Sequence, residues 1–99
     1  MYAIRFAVGV IADLKTLRAN DRRRIMEEIQ RKLPHEPTRP TKHVKRLDKL
    51  VPPFEQVPPI WQLRIGDFRV FFDVNDAETM VLVRAIRRKP AHMTTEQVI

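Results

Sequence analysis

Trp61-Gln62-Leu63-Arg64-Ile65-Gly66-Asp67-Phe68-Arg69-Val70-Phe71-Phe72-Asp73-Val74 reads as a β-hairpin. Apolar and polar residues alternate with period two on either side of Gly66-Asp67, which has the composition of a tight hairpin turn. Glycine at the first turn position adopts φ > 0 at little steric cost, as a primed turn requires. That turn sets the register. Ile65 then faces Phe68, Leu63 faces Val70 and Trp61 faces Phe72, all on one side, which makes these aromatic residues core rather than a stacking platform. The other side places Arg64 opposite Arg69, projecting away from the core. Like charges directly across a strand pair repel, so the two heads either splay into water or hold an anion. Phe71 shares the arginine side and is either a base contact or the floor of a cleft.

Upstream, Tyr2, Ile4 and Phe6 alternate with Ala3, Arg5 and Ala7 and predict an opening strand. Ile11, Leu14 and Leu17 recur at helical spacing and predict a short helix. Asn20 is a suitable N-cap for a second helix, with Asp21 in its first turn, an apolar stripe of Ile25, Met26, Ile29 and Leu33, and Pro34 as its stop. Residues 34–40 form a proline-rich connector. The basic stretch that follows is a short edge strand or an extended segment, and the prolines between Val51 and Pro59 demand a loop. Downstream of the hairpin, residues 75–79 turn the chain into a final strand, Met80 to Arg87, whose apolar neighbours on both sides suit a central position. Thr94-Thr95-Glu96-Gln97 either caps a last short helix or frays. The order predicts one α+β domain over residues 1–99: an antiparallel sheet of about four strands with an N-terminal two-helix hairpin on one face, the other face exposed and basic.

The net charge of +7 favours polyanions or acidic proteins as partners. Residues 1–50 hold 13 Lys and Arg against 6 Asp and Glu, whereas residues 51–99 hold 6 of each, so the excess sits on the helices and the segment after them. The absence of cysteine excludes a disulfide framework and suits the cytoplasm. No run is long enough for a membrane span, and no signal peptide is expected. His35, His43 and His92 lack metal-ligand spacing and read as surface histidines, so neither metal nor cofactor is expected.

A strand, two helices and then Trp61, Leu63, Arg64, Gly66, Asp67, Arg69, Val70, Phe72 and Val74 resemble the RelE/ParE family of bacterial toxins. Val83-Arg84-Ala85-Ile86-Arg87-Arg88-Lys89 is similar to the close of that family's last strand. The resemblance implies the toxin of a toxin–antitoxin module. RelE-like members cut mRNA in the ribosomal A site, whereas ParE-like members inhibit DNA gyrase. Three outcomes are implied: a metal-independent, ribosome-dependent mRNA endonuclease; a gyrase inhibitor without nuclease activity; or a non-catalytic basic binding domain of the same fold. The implied partners are an antitoxin with an acidic amphipathic segment, in a hetero-oligomer, and the ribosome with its mRNA.

Cleavage without metal uses the 2′-hydroxyl of the RNA as nucleophile. A base must take its proton, cations must stabilise the phosphate, and an acid must protonate the 5′ leaving oxygen. By resemblance, Arg64, Arg69 and Arg88 correspond to the catalytic cluster, with guanidinium groups suited to bidentate phosphate contact. Gln62 stands where several RelE-like enzymes carry lysine, and no tyrosine follows the last strand. His92, near the missing tyrosine, is the candidate acid or base. Lys42, Lys45, Arg46 and Arg87 are candidate RNA contacts. Arg84 either pairs with Asp73 or touches substrate.

Overall fold

The computed structural model describes residues 1–49, 51–90 and 92–99. Its elements run β1 (Ala3–Phe6), α1 (Val8–Lys15), α2 (Ala19–Lys32), β2 (Val44–Leu47), β3 (Ile60–Ile65), β4 (Phe68–Asn75), β5 (Met80–Arg88) and α3 (Thr95–Val98). The sheet has five strands in the order β1-β5-β4-β3-β2. It is mixed rather than antiparallel, because β1 pairs with β5 in parallel, Ala3 beside Met80. A long helical crossover permits that pairing: α1 and α2 lie between β1 and the antiparallel strands that follow. β5 is therefore an interior strand, paired on both sides as its apolar flanks predict, and β1 and β2 are the two edges.

The hairpin register matches the prediction residue for residue: Trp61 pairs with Phe72, Leu63 with Val70, Arg64 with Arg69 and Ile65 with Phe68. Gly66 takes φ 57°. A side chain there would also meet the Arg24 guanidinium, whose nitrogens lie 3.0 Å from the position of an added Cβ. Glycine thus serves both the backbone conformation and the close approach of α2.

The main core lies between the sheet and the two helices. Val10, Ile25, Ile29 and Leu33 pack against Leu63, Ile65, Phe68, Val70, Phe72, Val81 and Val83. α1 turns a different stripe inward from the one predicted. Val10 is fully buried and Leu14 partly so, whereas Ile11 is 56% exposed and Leu17 falls beyond the helix end. The N-cap of α2 is Arg18, not Asn20, because the extended backbone at Arg18 (φ −64°, ψ 152°) already launches the helix and draws Asn20 into its first turn. Asp21 keeps its place beside the helix N-terminus, where the dipole favours a carboxylate.

The opposite face is only partly exposed, which corrects the prediction of an open basic surface. Ile60, Phe71 and Ala85 form a second apolar cluster covered by Leu47, Phe54 and Ile99. Phe54 comes from the proline-rich loop, with its ring 5.7 Å from Phe71. The loop is tied down by the Val57 N–H, which donates to Asp73 Oδ2 at 2.8 Å. Leu47 of β2 and Ile99, just after α3, supply the rest of the cover. Thr94 begins α3 with a capping box: its side chain accepts from the Gln97 N–H, and Gln97 Oε1 accepts from the Thr94 N–H at 2.8 Å. Among the described residues, no helix is long and apolar enough to cross a membrane.

Candidate functional site: a cationic cleft at the hairpin turn

The antiparallel registers build one row of polar side chains across the face opposite the helices. Arg69 of β4 pairs with Arg64 of β3 on one side and with Arg87 of β5 on the other. Continuing the β2–β3 register one residue before Val44 places His43 opposite Arg64, and the Arg64 N–H donates to the His43 carbonyl at 2.7 Å. The row is therefore His43, Arg64, Arg69, Arg87. Beside it runs Lys45, opposite Gln62, which is opposite the buried Phe71.

A cleft of about 210 Å³ opens over this row, lined among others by Lys42, His43, Lys45, Arg64, Arg69 and Lys89. Gln62 forms its buried base and accepts from the Thr95 hydroxyl at 3.2 Å, so α3 closes one wall. Arg64 reaches solvent. Arg69 does not: it is 6% exposed, and its Nη1 donates to the carbonyls of Gly66 at 2.8 Å and Phe68 at 2.9 Å. Burial first, and then repulsion from Arg64, push the Arg69 guanidinium below the usual arginine range, against a smaller opposing pull from Asp67. Arg69 is thus a strut beneath the turn as well as a source of positive potential, contrary to its reading as a side chain outside the core. His43 is held below the ordinary histidine range, by desolvation first and then by Lys32, Lys42 and Arg64, with Glu28 opposing.

The other predicted residues part company. Lys42 and Lys45 line the cleft. Arg46 falls on the opposite strand parity, across from Trp61, and pairs with Asp48 at 2.5 Å. Arg87 belongs to the row by register, but its guanidinium bonds Asp13 of α1 at 2.8 Å. Arg88 does not join Arg64 and Arg69. It sits opposite Phe68, with its guanidinium carbon 5.9 Å from that ring, on the helix side of the sheet. The cause is a β-bulge: Phe71 pairs with Ala85 but Phe72 with Val83, leaving Arg84 as the extra residue. The bulge turns Arg84 onto Asp73, 2.6 Å away, in a pair that is 12% and 7% exposed, and it reverses the alternation beyond. Lys89 takes the cleft position instead, anchored by its N–H to the Asp67 carbonyl. His92 is exposed and outside the cleft lining.

His43, Lys89 and Thr95 were missed as site residues. Lys89 and Arg87 carry the same parity as Arg69 once the bulge is counted, and His43 follows from the β2–β3 register; Thr95 had only its place in a capping motif as a signal.

A five-stranded mixed sheet with a helix pair on one face is the fold of the RelE toxins. The fold is similar to the toxin–antitoxin complex RelBE2 of Mycobacterium tuberculosis, with TM-score 0.71, 20% identity and coverage of 89% of this chain and 98% of that one. It is also similar to the archaeal RelE–RelB complex of Pyrococcus horikoshii, with TM-score 0.69, 22% identity and coverage of 93% and 98%. The isolated Escherichia coli RelE toxin shares it at TM-score 0.58, 14% identity and coverage of 91% and 86%. No curated protein sequence matches the chain. Residues 4–90 match the family model described as the ParE toxin of the type II toxin–antitoxin system parDE, and the chain belongs to that family, within the RelE/ParE toxins.

Proposed function

We propose that this toxin acts on RNA, as a metal-independent endonuclease that cuts mRNA on the ribosome. The observation that supports the reading is the cleft: Lys42, Lys45, Arg64 and Lys89 line it around the buried, hydrogen-bonded Arg69 and Gln62. Cations aimed at one point stabilise a phosphate more strongly as its charge grows during displacement by the 2′-hydroxyl, which is how such a site accelerates cleavage. An antitoxin neutralises the protein in a hetero-oligomer. Its acidic amphipathic segment lies along the helix pair, where Val8 (88% exposed) and Ile11 project from α1 beside Lys15 and the arginines of α2, and along the basic stretch from Lys42 to Lys49.

The description of the matching family, a ParE toxin, favours a second reading, gyrase inhibition without nuclease chemistry. Of the arginines assigned by resemblance, Arg69 is buried beneath the turn and Arg88 lies on the helix side, away from the cleft. Expression of the toxin with mapping of mRNA 5′ ends separates the two. New ends in phase with codons support the nuclease; intact mRNA with an SOS response overturns it in favour of gyrase.

A further inference from the structure

Cleavage by the 2′-hydroxyl needs a proton acceptor, and the cleft holds few. Gln62, Thr41, Thr95 and Val44 cannot serve, and lysine and arginine ordinarily remain protonated near neutral pH. Histidine is the residue whose ordinary pKa suits the task. Resting on the nuclease reading above, we propose that His43 is the general base of this toxin, positioned in the cationic row beside Arg64.

The backbone of His43 is held from both sides. Its carbonyl accepts from the Arg64 N–H at 2.7 Å, and its N–H donates to Thr41 Oγ1 at 3.1 Å. Thr41 Oγ1 also accepts from the Val44 N–H at 3.1 Å, and the Thr41 N–H closes the turn on the Val44 carbonyl at 2.9 Å. The residue is half-buried at the edge of the sheet and lines both the cleft and a neighbouring cavity of about 550 Å³ with His35, Glu36 and Lys32, which leaves room for RNA to approach the ring. The charged and titratable groups around it are Lys32 and Glu28 from α2, Lys42, Lys45, Arg64, Arg69 and Lys89 around the cleft, and His35, Glu36 and Arg39 of the connector. Desolvation first, and then the neighbouring cations, favour the neutral imidazole, the form that accepts a proton.

In the step itself, an unprotonated ring nitrogen of His43 takes the 2′-hydroxyl proton. The 2′ oxygen bonds to phosphorus, the bond from phosphorus to the 5′ oxygen breaks, and that oxygen takes a proton from water. A 2′,3′-cyclic phosphate and a 5′-hydroxyl result, and the imidazolium returns its proton to solvent. No oxidant or co-reactant is needed.

The test is single-turnover cleavage of ribosome-bound mRNA by purified toxin between about pH 5.5 and 8. Wild type should lose rate on acidification, with a midpoint below that of free histidine. His43→Gln should cut the rate about 10²-fold or more and abolish that limb. His43→Ala should regain part of its rate with added imidazole, which a structural role would not produce. A wild-type rate flat across that range overturns the proposal without recourse to any variant. An undiminished His43→Gln rate overturns it while leaving the nuclease reading intact; wild-type toxin that leaves mRNA uncut overturns both.

Discussion

Arg69→Ala is expected to destabilise the domain as well as to weaken the toxin. The side chain is buried, and one Nη1 serves two carbonyls at 2.8 and 2.9 Å. A hydrogen bond from a charged donor contributes about 1.5–3 kcal/mol net. The two acceptors share a single nitrogen, so the contributions do not double. Truncation also releases a guanidinium whose charge is disfavoured by burial and by Arg64, which offsets part of the loss. A net cost of about 2 kcal/mol follows, or about 8–16 °C in Tm for a domain of this size. Arg69→Met isolates the polar share, because it keeps most of the apolar stem and loses the donors. Thermal unfolding of both variants, freed from antitoxin and followed by circular dichroism, is the assay. If both unfold within about 2 °C of wild type while toxicity vanishes, Arg69 is a direct target contact and the strut argument is wrong.

Gly66→Ala should cost about 1–2 kcal/mol and Gly66→Asn distinctly less, because the positive φ governs and Arg24 can swing aside; equal losses in urea unfolding would contradict this. Asp73→Ala should cost about 3 kcal/mol, since it strands a largely buried Arg84 and removes the acceptor of the Val57 N–H. Adding Arg84→Met should recover part of that loss, and a double variant no more stable than Asp73→Ala would show that no charge had been left stranded.

The hairpin was legible because its information is local: Gly66-Asp67 fixes the turn, and alternation fixes every pair back to Trp61. The helix pair was legible from spacing, except where α1 is short enough that Val10 and Ile11 compete for the same inward direction. The parallel partner of β1 was not legible, since nothing in Tyr2 to Phe6 distinguishes β5 from another edge. The site suffered from one residue. Simple alternation from Val81 and Val83 puts Arg84 and Arg88 on the arginine face; the bulge at Arg84 reverses that count, so Arg88 leaves the cleft and Lys89 enters it. His43 stayed hidden for a different reason. Its place depends on pairing between segments separated by the proline-rich loop, and spacing along the chain carries no trace of it.

The place of β5 between β1 and β4 also has a consequence for how the toxin comes into being. Ala3 has its partner in Met80 and Phe6 in Val83, so the first strand made waits for the last before it can join the sheet. Until β5 emerges during synthesis, the helix pair lacks Val81, Val83 and Ile86 from its core, and β4 presents an unpaired edge. Closing such distant contacts is slow compared with forming a hairpin or a helix. The nascent polypeptide is therefore still incomplete while β1 to β4 leave the ribosome that makes it. A product interrupted before Met80 lacks the one strand that joins β1 to β4.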